Sequence, residues 1–176
     1  EHKTDWLLQL NGQFAIALWD QRERALILAR DRLGIRPIYY ITNDEYLLFA
    51  SEVKALFAYP NTKSEIDPIS LAQIFTFWTT LGSRSSFKNI HSVPPGHYLL
   101  IKNGKMRLNQ YWQLDMATHD GFSKSLDEAA EELRWLLNDA IRLRLRSDVP
   151  VVSYLSGGLD SSSITALANQ YAETRL

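Results

Sequence analysis

The sequence predicts an α+β domain built mostly of antiparallel strands, followed by the start of an α/β parallel sheet. Three observations lead there. Residues 1–112 carry paired apolar stretches joined by short polar turns, residues 125–141 carry one long helical period, and residues 151–163 read as a strand, a glycine-rich loop and the start of a helix. The two patterns differ enough to predict two domains, at 1–114 and 125–176, with a linker over 115–124.

In the first domain, residues 13–19 alternate large and small apolar groups and predict a strand. Leu26 to Ala29 predict its partner, with Asp20 to Arg24 as the hairpin loop. Ile38 to Ile41 and Tyr46 to Ala50 form a second pair around Asn43-Asp44. Ser51-Glu52 opens a short helix through Phe57, stopped before Pro60. Pro68, then Leu71, Ile74, Phe75 and Trp78, predicts a further helix. Val93-Pro94-Pro95-Gly96 is a rigid turn, and His97–Ile101 and Lys105–Leu108 flank Asn103-Gly104, a strong hairpin signal.

The second domain opens on Ser125-Leu126-Asp127-Glu128, which fits a capping box. Leu126, Ala129, Ala130, Leu133, Leu137, Ala140 and Ile141 mark one face of a long helix, and Arg142, Arg144 and Arg146 suit its negative end. Pro150 ends that period. Val151 to Leu155 is a short continuous apolar run, as in a parallel strand covered on both faces. Ile164, Leu167, Ala168 and Tyr171 then resume helical spacing.

Between strand and helix lies Ser156-Gly157-Gly158-Leu159-Asp160-Ser161-Ser162. A Gly-Gly junction lets backbone amides crowd around an anion, and the helix start adds partial positive charge. Ser156, Ser161 and Ser162 offer hydroxyl donors, and Asp160 offers a carboxylate to a divalent cation. That set suits a pyrophosphate with its metal. A plain turn with a helix cap uses the same residue types, but here six specified residues coincide with a strand-to-helix junction. The Walker pattern is absent, since no Gly-Lys-Ser/Thr follows.

Composition narrows the function classes. The chain of 176 residues is 45% hydrophobic and 22% charged, with a net charge of −1, so no broad attraction to nucleic acid or to a membrane surface is expected. No stretch reads as a transmembrane helix or signal peptide, and a cytoplasmic location is expected. Cysteine is absent, which removes disulfides, thiolate metal sites and a cysteine nucleophile from these residues. His2, His91, His97 and His119 lack metal-ligand spacing. Both ends are expected to be cuts through larger domains, leaving Phe14, Ile16, Leu18 and the Val151–Leu155 run partly uncovered.

The motifs resemble a known family. Asn11 to Asp20 is similar to the central strand of class II glutamine amidotransferase domains, and Arg30 to Tyr40 and Phe49 to Leu56 continue that likeness. Val93 to His97 and Tyr111-Trp112 look like the domain's C-terminal edge. Ser147 to Pro150, leading into Leu155 to Ser162, is similar to the PP-loop synthetase domain of glutamine-hydrolysing asparagine synthetases. The resemblance implies a partial Ntn-type sandwich followed by the start of an adenine-nucleotide-binding domain. It implies ATP and Mg²⁺ as cofactors and aspartate, glutamine and ATP as small-molecule substrates, with a homodimer as a candidate assembly. Leu155, Ser156, Gly157, Gly158, Asp160, Ser161 and Ser162 would hold ATP and its pyrophosphate, with Asp160 facing the metal. Leu155 would meet the adenine through its backbone. None of these is a general acid or base.

The family's glutaminase nucleophile is a cysteine at a processed N-terminus, and no residue here corresponds to it. Asn11-Gly12 precedes the apolar strand and does not match the family's oxyanion Asn-Gly. Arg30-Asp31, with Gly34 and Pro37, is expected to form a structural turn and a buried ion pair. Two rival readings stand beside the synthetase: a related PP-loop ligase, such as a β-lactam synthetase, with another acceptor, and a non-catalytic fragment. Thiolate attack is the step on which glutamine hydrolysis in this family depends. The 176-residue chain is therefore expected to release no glutamate from glutamine above a mock-purified control in a coupled glutamate assay.

Overall fold

Asp20 closes the first hairpin: its carboxylate accepts from the amides of Arg22 (2.9 Å) and Glu23 (3.0 Å), an Asx turn that reverses the chain. The computed structural model describes residues 4–115 and 124–172. The chain divides into two compact units, Glu1–Asp115 and Met116–Leu176.

In the first unit, β1 (Ala15–Asp20) pairs antiparallel with β2 (Ala25–Arg30), with Ala15 opposite Arg30 and Asp20 opposite Ala25. β1 begins two residues later than the alternation suggests, because Asp31 takes up the backbone of Phe14. Asp31 N–H donates to the Phe14 carbonyl at 3.0 Å, and Phe14 N–H donates to the Asp31 carboxylate at 3.3 Å. β3 (Tyr39–Thr42) pairs with β4 (Leu47–Ala50) as expected, and also with β5 (His91–Ser92), which the sequence reading did not contain. β6 (His97–Lys102) and β7 (Lys105–Gln110) form the Asn-Gly hairpin, with Asn103 at φ 51° and Gly104 at φ 70°. The sheets run β1-β2-β6-β7 and β4-β3-β5.

β2 is the central strand, and both its faces are covered. Leu28 packs with Ile38, Tyr40, Val93 and Leu99, which joins the two sheets. Ile27 and Ala29 pack with Leu7 of the one-turn helix α1 (Trp6–Gln9), an element the sequence pattern did not reveal. Among the described residues β1 lies at the edge of its sheet, not at its centre. Leu18 and Trp19 are exposed there, whereas Phe14 and Ile16 are half-buried against the Leu7 cluster.

The remaining helices follow their caps. α2 (Val53–Leu56) follows the extended Glu52. α3 (Pro68–Phe77) starts at Asp67, whose side chain accepts from Ile69 N–H, and ends where Trp78 turns left-handed at φ 62°.

Arg30 and Asp31 make the turn that joins the two sheets, but they do not form the expected ion pair. Asp31 is 1% exposed, and its carboxylate accepts from the amides of Arg36 (2.9 Å), Ile35 (3.0 Å), Leu33 (3.2 Å) and Phe14. Arg30 instead donates to the carbonyls of Gly34 (2.6 Å), Val93 (2.9 Å) and Arg36 (3.0 Å) and to the Ser92 hydroxyl (2.9 Å). Each ion is satisfied by backbone dipoles, so neither needs the other. Gly96 N–H donates to the Asp31 carbonyl at 3.0 Å, the Gly96 carbonyl accepts from Tyr111 and Trp112, and the Tyr111 hydroxyl donates to the Arg30 carbonyl at 2.8 Å.

In the second unit, α4 (Leu126–Arg144) carries the expected capping box. Glu128 N–H donates to Ser125 Oγ, and Ser125 N–H donates to Glu128 Oε2 at 2.8 Å. At its far end Arg144 donates to the Ala140 carbonyl and Arg142 pairs with Asp139. The apolar face is only half covered: Ile141 is buried, but Leu126 and Leu133 are exposed. α5 (Leu159–Ala168) is about half as long as α4 and cannot cover its whole length.

The second unit shows two helices and, among the described residues, no strand. Val151 to Leu155 forms no strand pairing with any described residue, and Val152 (73% exposed) and Tyr154 (95%) stand in the open. The expected buried parallel strand is therefore corrected: a strand exists only through a ladder partner, and no described residue supplies one. The 115–124 linker falls mostly on residues 116–123, outside those described.

Burial pushes the Asp31 carboxyl up, but the amides of Arg36, Ile35, Phe14 and Leu33 together hold it below the ordinary carboxylate value. A depressed folded value stabilises the fold above the unfolded value of about 3.9, and that stability drains away as pH falls through the folded value. Acid melts below about pH 4 should therefore show a stability loss in the parent that Asp31→Asn lacks. Asp31→Ala, which strips four amides of their acceptor, should cost about 4 kcal/mol in urea denaturation at neutral pH.

Gly96 sits at φ 67°, and a Cβ there would lie 2.3 Å from the Trp112 carbonyl oxygen. Gly96→Ala should destabilise the first unit by about 3 kcal/mol, whereas Gly104→Ala, at φ 70° but with nothing within 4 Å, should cost about 1 kcal/mol in the same denaturation series.

Candidate functional site

The loop between the Val151–Leu155 segment and α5 gathers the predicted phosphate ligands. Gly157 adopts φ 82°, a left-handed turn that only glycine takes cheaply, and a Cβ built on it would meet nothing within 4 Å. That open face is room for a ligand to approach the backbone. Gly158 is the N-cap of α5 and supplies no side-chain cap, so the amides of the first turn are left to solvent or to an anion. Asp160 lies in that first turn and is exposed.

The serines shape the loop. Ser156 Oγ and Ser161 Oγ are 2.9 Å apart, Ser161 Oγ donates to the Gly158 carbonyl at 3.2 Å, and Gly158 N–H donates to Ser156 Oγ at 3.4 Å. Ser156 thus clamps the loop from the incoming side and Ser161 from the helix side. Ser162 contributes its amide to the Gly158 carbonyl at 3.0 Å, and its hydroxyl is exposed. Leu155 is 63% exposed at the mouth. Of the seven residues expected to form the site, all lie on this one loop and helix start.

The donor set fits a phosphate: amides at an uncapped helix start, two hydroxyls and a glycine with free space above it. For a divalent cation it offers one carboxylate, and among the described residues no group of three or more His, Cys, Asp or Glu side chains converges. A single carboxylate fits Mg²⁺ when phosphate oxygens and water complete the octahedron, and does not fit a protein-only metal cage.

Two further residues lie below this loop. Ser153 Oγ and Thr165 Oγ1 are 2.6 Å apart, joining the incoming segment to α5. The sequence reading did not single them out. The available signal was a lone hydroxyl inside the Val-Val-Ser-Tyr-Leu run.

Among the described residues of the first unit, His91 and His97 make local structural contacts. His97 Nδ1 lies 2.6 Å from the Pro95 carbonyl, and the His91 ring packs on Tyr40 at 5.5 Å. Burial and the nearby Arg84 guanidinium hold His91 below its ordinary value.

Residues 1–112 match the glutamine amidotransferase domain family, well over half of the chain. The chain belongs to that family. Residues 132–176, which contain the phosphate loop, match the asparagine synthase family. Among curated relatives, the glutamine-hydrolysing asparagine synthetase 3 of Bacillus subtilis strain 168 is 38% identical over 98% of this chain and 28% of its own length. The glutamine-hydrolysing asparagine synthetase B of Escherichia coli strain K12 is 34% identical over the whole of this chain and 26% of its own length. Amidase chry2 of Gibberella zeae is 39% identical over 93% of this chain and 24% of its own length. The chain thus spans about a quarter of the length of these relatives. The two antiparallel sheets are consistent with the Ntn-type amidotransferase sandwich of the first family, and the two matches follow one another in the order the sequence motifs suggested.

Proposed function

We propose that this chain serves a glutamine-dependent asparagine synthetase, with residues 1–114 in the amidotransferase domain and 125–176 in the ATP-using synthetase domain. The observation that carries the reading is the Ser156–Ser162 loop. It lies within the stretch that matches the asparagine synthase family and presents uncapped amides beside an open glycine. In this reading ammonia from glutamine displaces AMP from an aspartyl-adenylate in a soluble, cytoplasmic enzyme. Among the described residues no helix is long and apolar enough to cross a membrane.

The chemistry asks for charge stabilisation, not for an acid or a base. A carboxylate is a poor electrophile, and transfer of an adenylyl group to it releases pyrophosphate, on which negative charge builds. The amides at the start of α5 and the hydroxyls of Ser156, Ser161 and Ser162 bind and orient that pyrophosphate. Leu155 borders the adenine through its backbone, and Gly157 and Gly158 let the phosphates reach the main chain. Asp160 would hold a Mg²⁺ ion, which when bound neutralises phosphate charge.

Asp160→Ala and Gly157→Val, each made in the intact synthetase, should slow aspartate-dependent ATP–pyrophosphate exchange about a hundredfold, a loss of about 3 kcal/mol, and leave glutamine hydrolysis intact. Thermal unfolding on the same samples separates site from scaffold. An Asp160→Ala enzyme that is folded and exchanges at the parental rate removes the pyrophosphate assignment.

A further inference from the structure

Ser161 and Thr165 are four residues apart on α5, so they stand on one helix face one turn apart. Each reaches the incoming segment through a hydroxyl–hydroxyl hydrogen bond: Ser161 to Ser156 at 2.9 Å, and Thr165 to Ser153 at 2.6 Å. The two bonds bracket the Gly157–Asp160 turn at two levels. The lower one is set apart from its surroundings. Ser153 and Thr165 are part-buried, whereas the flanking Val152 and Tyr154 point into the open, so Ser153 is the segment's contact with α5. An apolar pair at that level would press the segment on the helix but let it slide. A hydrogen bond is directional and short, and holds the register of segment against helix.

We propose that Ser153 and Thr165 are positioning residues that set the geometry of the phosphate loop. Neither hydroxyl touches the ligand. Their bond fixes where the segment ends relative to the first turn of α5, and thereby how the Gly157, Gly158 and first-turn amides converge. The proposal rests on the pyrophosphate reading of the loop for its ligand. Its structural half, the ordering of the loop, stands independently and can be measured without ligand.

The test uses the intact synthetase, with Mg²⁺ and inorganic pyrophosphate as the probe. Amide hydrogen exchange is followed at Gly157–Ser161 and, as control, along α4. Ser153→Ala and Thr165→Val should each speed loop exchange about fivefold and weaken pyrophosphate binding in calorimetry by a similar factor, the size expected for one neutral hydrogen bond. Exchange along α4 should not change. Thr165→Ser, which keeps the hydroxyl, should stay near parental, and Ser153→Ala/Thr165→Val together should be no worse than either alone. Unchanged loop exchange in both single variants, or a Thr165→Ser variant as impaired as Thr165→Val, overturns the proposal. Pyrophosphate binding that Gly157→Val abolishes but Ser153→Ala and Thr165→Val leave at parental strength overturns the positioning role alone. A parental synthetase that binds no pyrophosphate overturns the site reading and the positioning role together.

Discussion

A buried carboxylate dissolved in backbone amides holds the first unit together. Asp31 is sealed from solvent, and an isolated carboxylate there would be prohibitively costly. Four amides, three from the turn that follows it and one from Phe14, replace its water. Because those amides come from Phe14 and from Leu33, Ile35 and Arg36, one side chain fixes where β1 starts and how the chain leaves β2 for β3. Arg30 completes the arrangement in the opposite sense. Its guanidinium collects carbonyls from Gly34, Arg36 and Val93, and so ties the end of β2 to the segment that enters β6. Gly96 and Tyr111 close the circuit from the far side of the sheet. The close approach of Trp112 to Gly96 follows from this geometry, and it makes glycine obligatory there.

The second unit depends on a different constraint. Its loop leaves groups open to a ligand: first-turn amides behind an N-cap without a side chain, a glycine with empty space and, for a cation, an exposed carboxylate in the first turn. Such a loop cannot order itself through its own capping. Order has to come from beside it, from the Ser156–Ser161 and Ser153–Thr165 contacts and from the packing of α5 on α4. An open loop held by ordered flanks is a way to preorganise a binding constellation.

The amidotransferase family match and the synthase match cover stretches with opposite demands. Among the described residues of the first stretch, the fully buried side-chain nitrogens and oxygens are hydrogen-bonded apart from Arg32 Nε and Thr62 Oγ1. In residues 151–162 the Ser153, Ser156 and Ser161 hydroxyls are hydrogen-bonded, while Ser162 and Asp160 are exposed. The chain carries no cysteine, so no side chain within these residues can make a thiolate attack.

Much of this protein follows from local sequence. The Asn103-Gly104 hairpin, the Ser125–Glu128 capping box, the Pro68 helix start and the glycine-rich loop each depend on residues within about one turn of each other, so composition and spacing suffice to place them. What lies at long range was decided by the tertiary structure. The sequence proposed an Arg30–Asp31 ion pair, because adjacent opposite charges suggest one. Only the folded chain brings Phe14 and Val93 close enough to satisfy the two ions separately. α1 and β5, of four and two residues, carry too little pattern to be read, and exist because the Leu7 cluster and the β3 edge receive them. Val151 to Leu155 shows the converse. Its apolar run has strand propensity, but hydrogen bonding in a sheet is a property of a pair, and here the segment has no partner among the described residues. Residue identity alone determined caps and turns. Which buried charge meets which backbone group, and which extended segment becomes a strand, was settled by contacts between residues far apart in the chain.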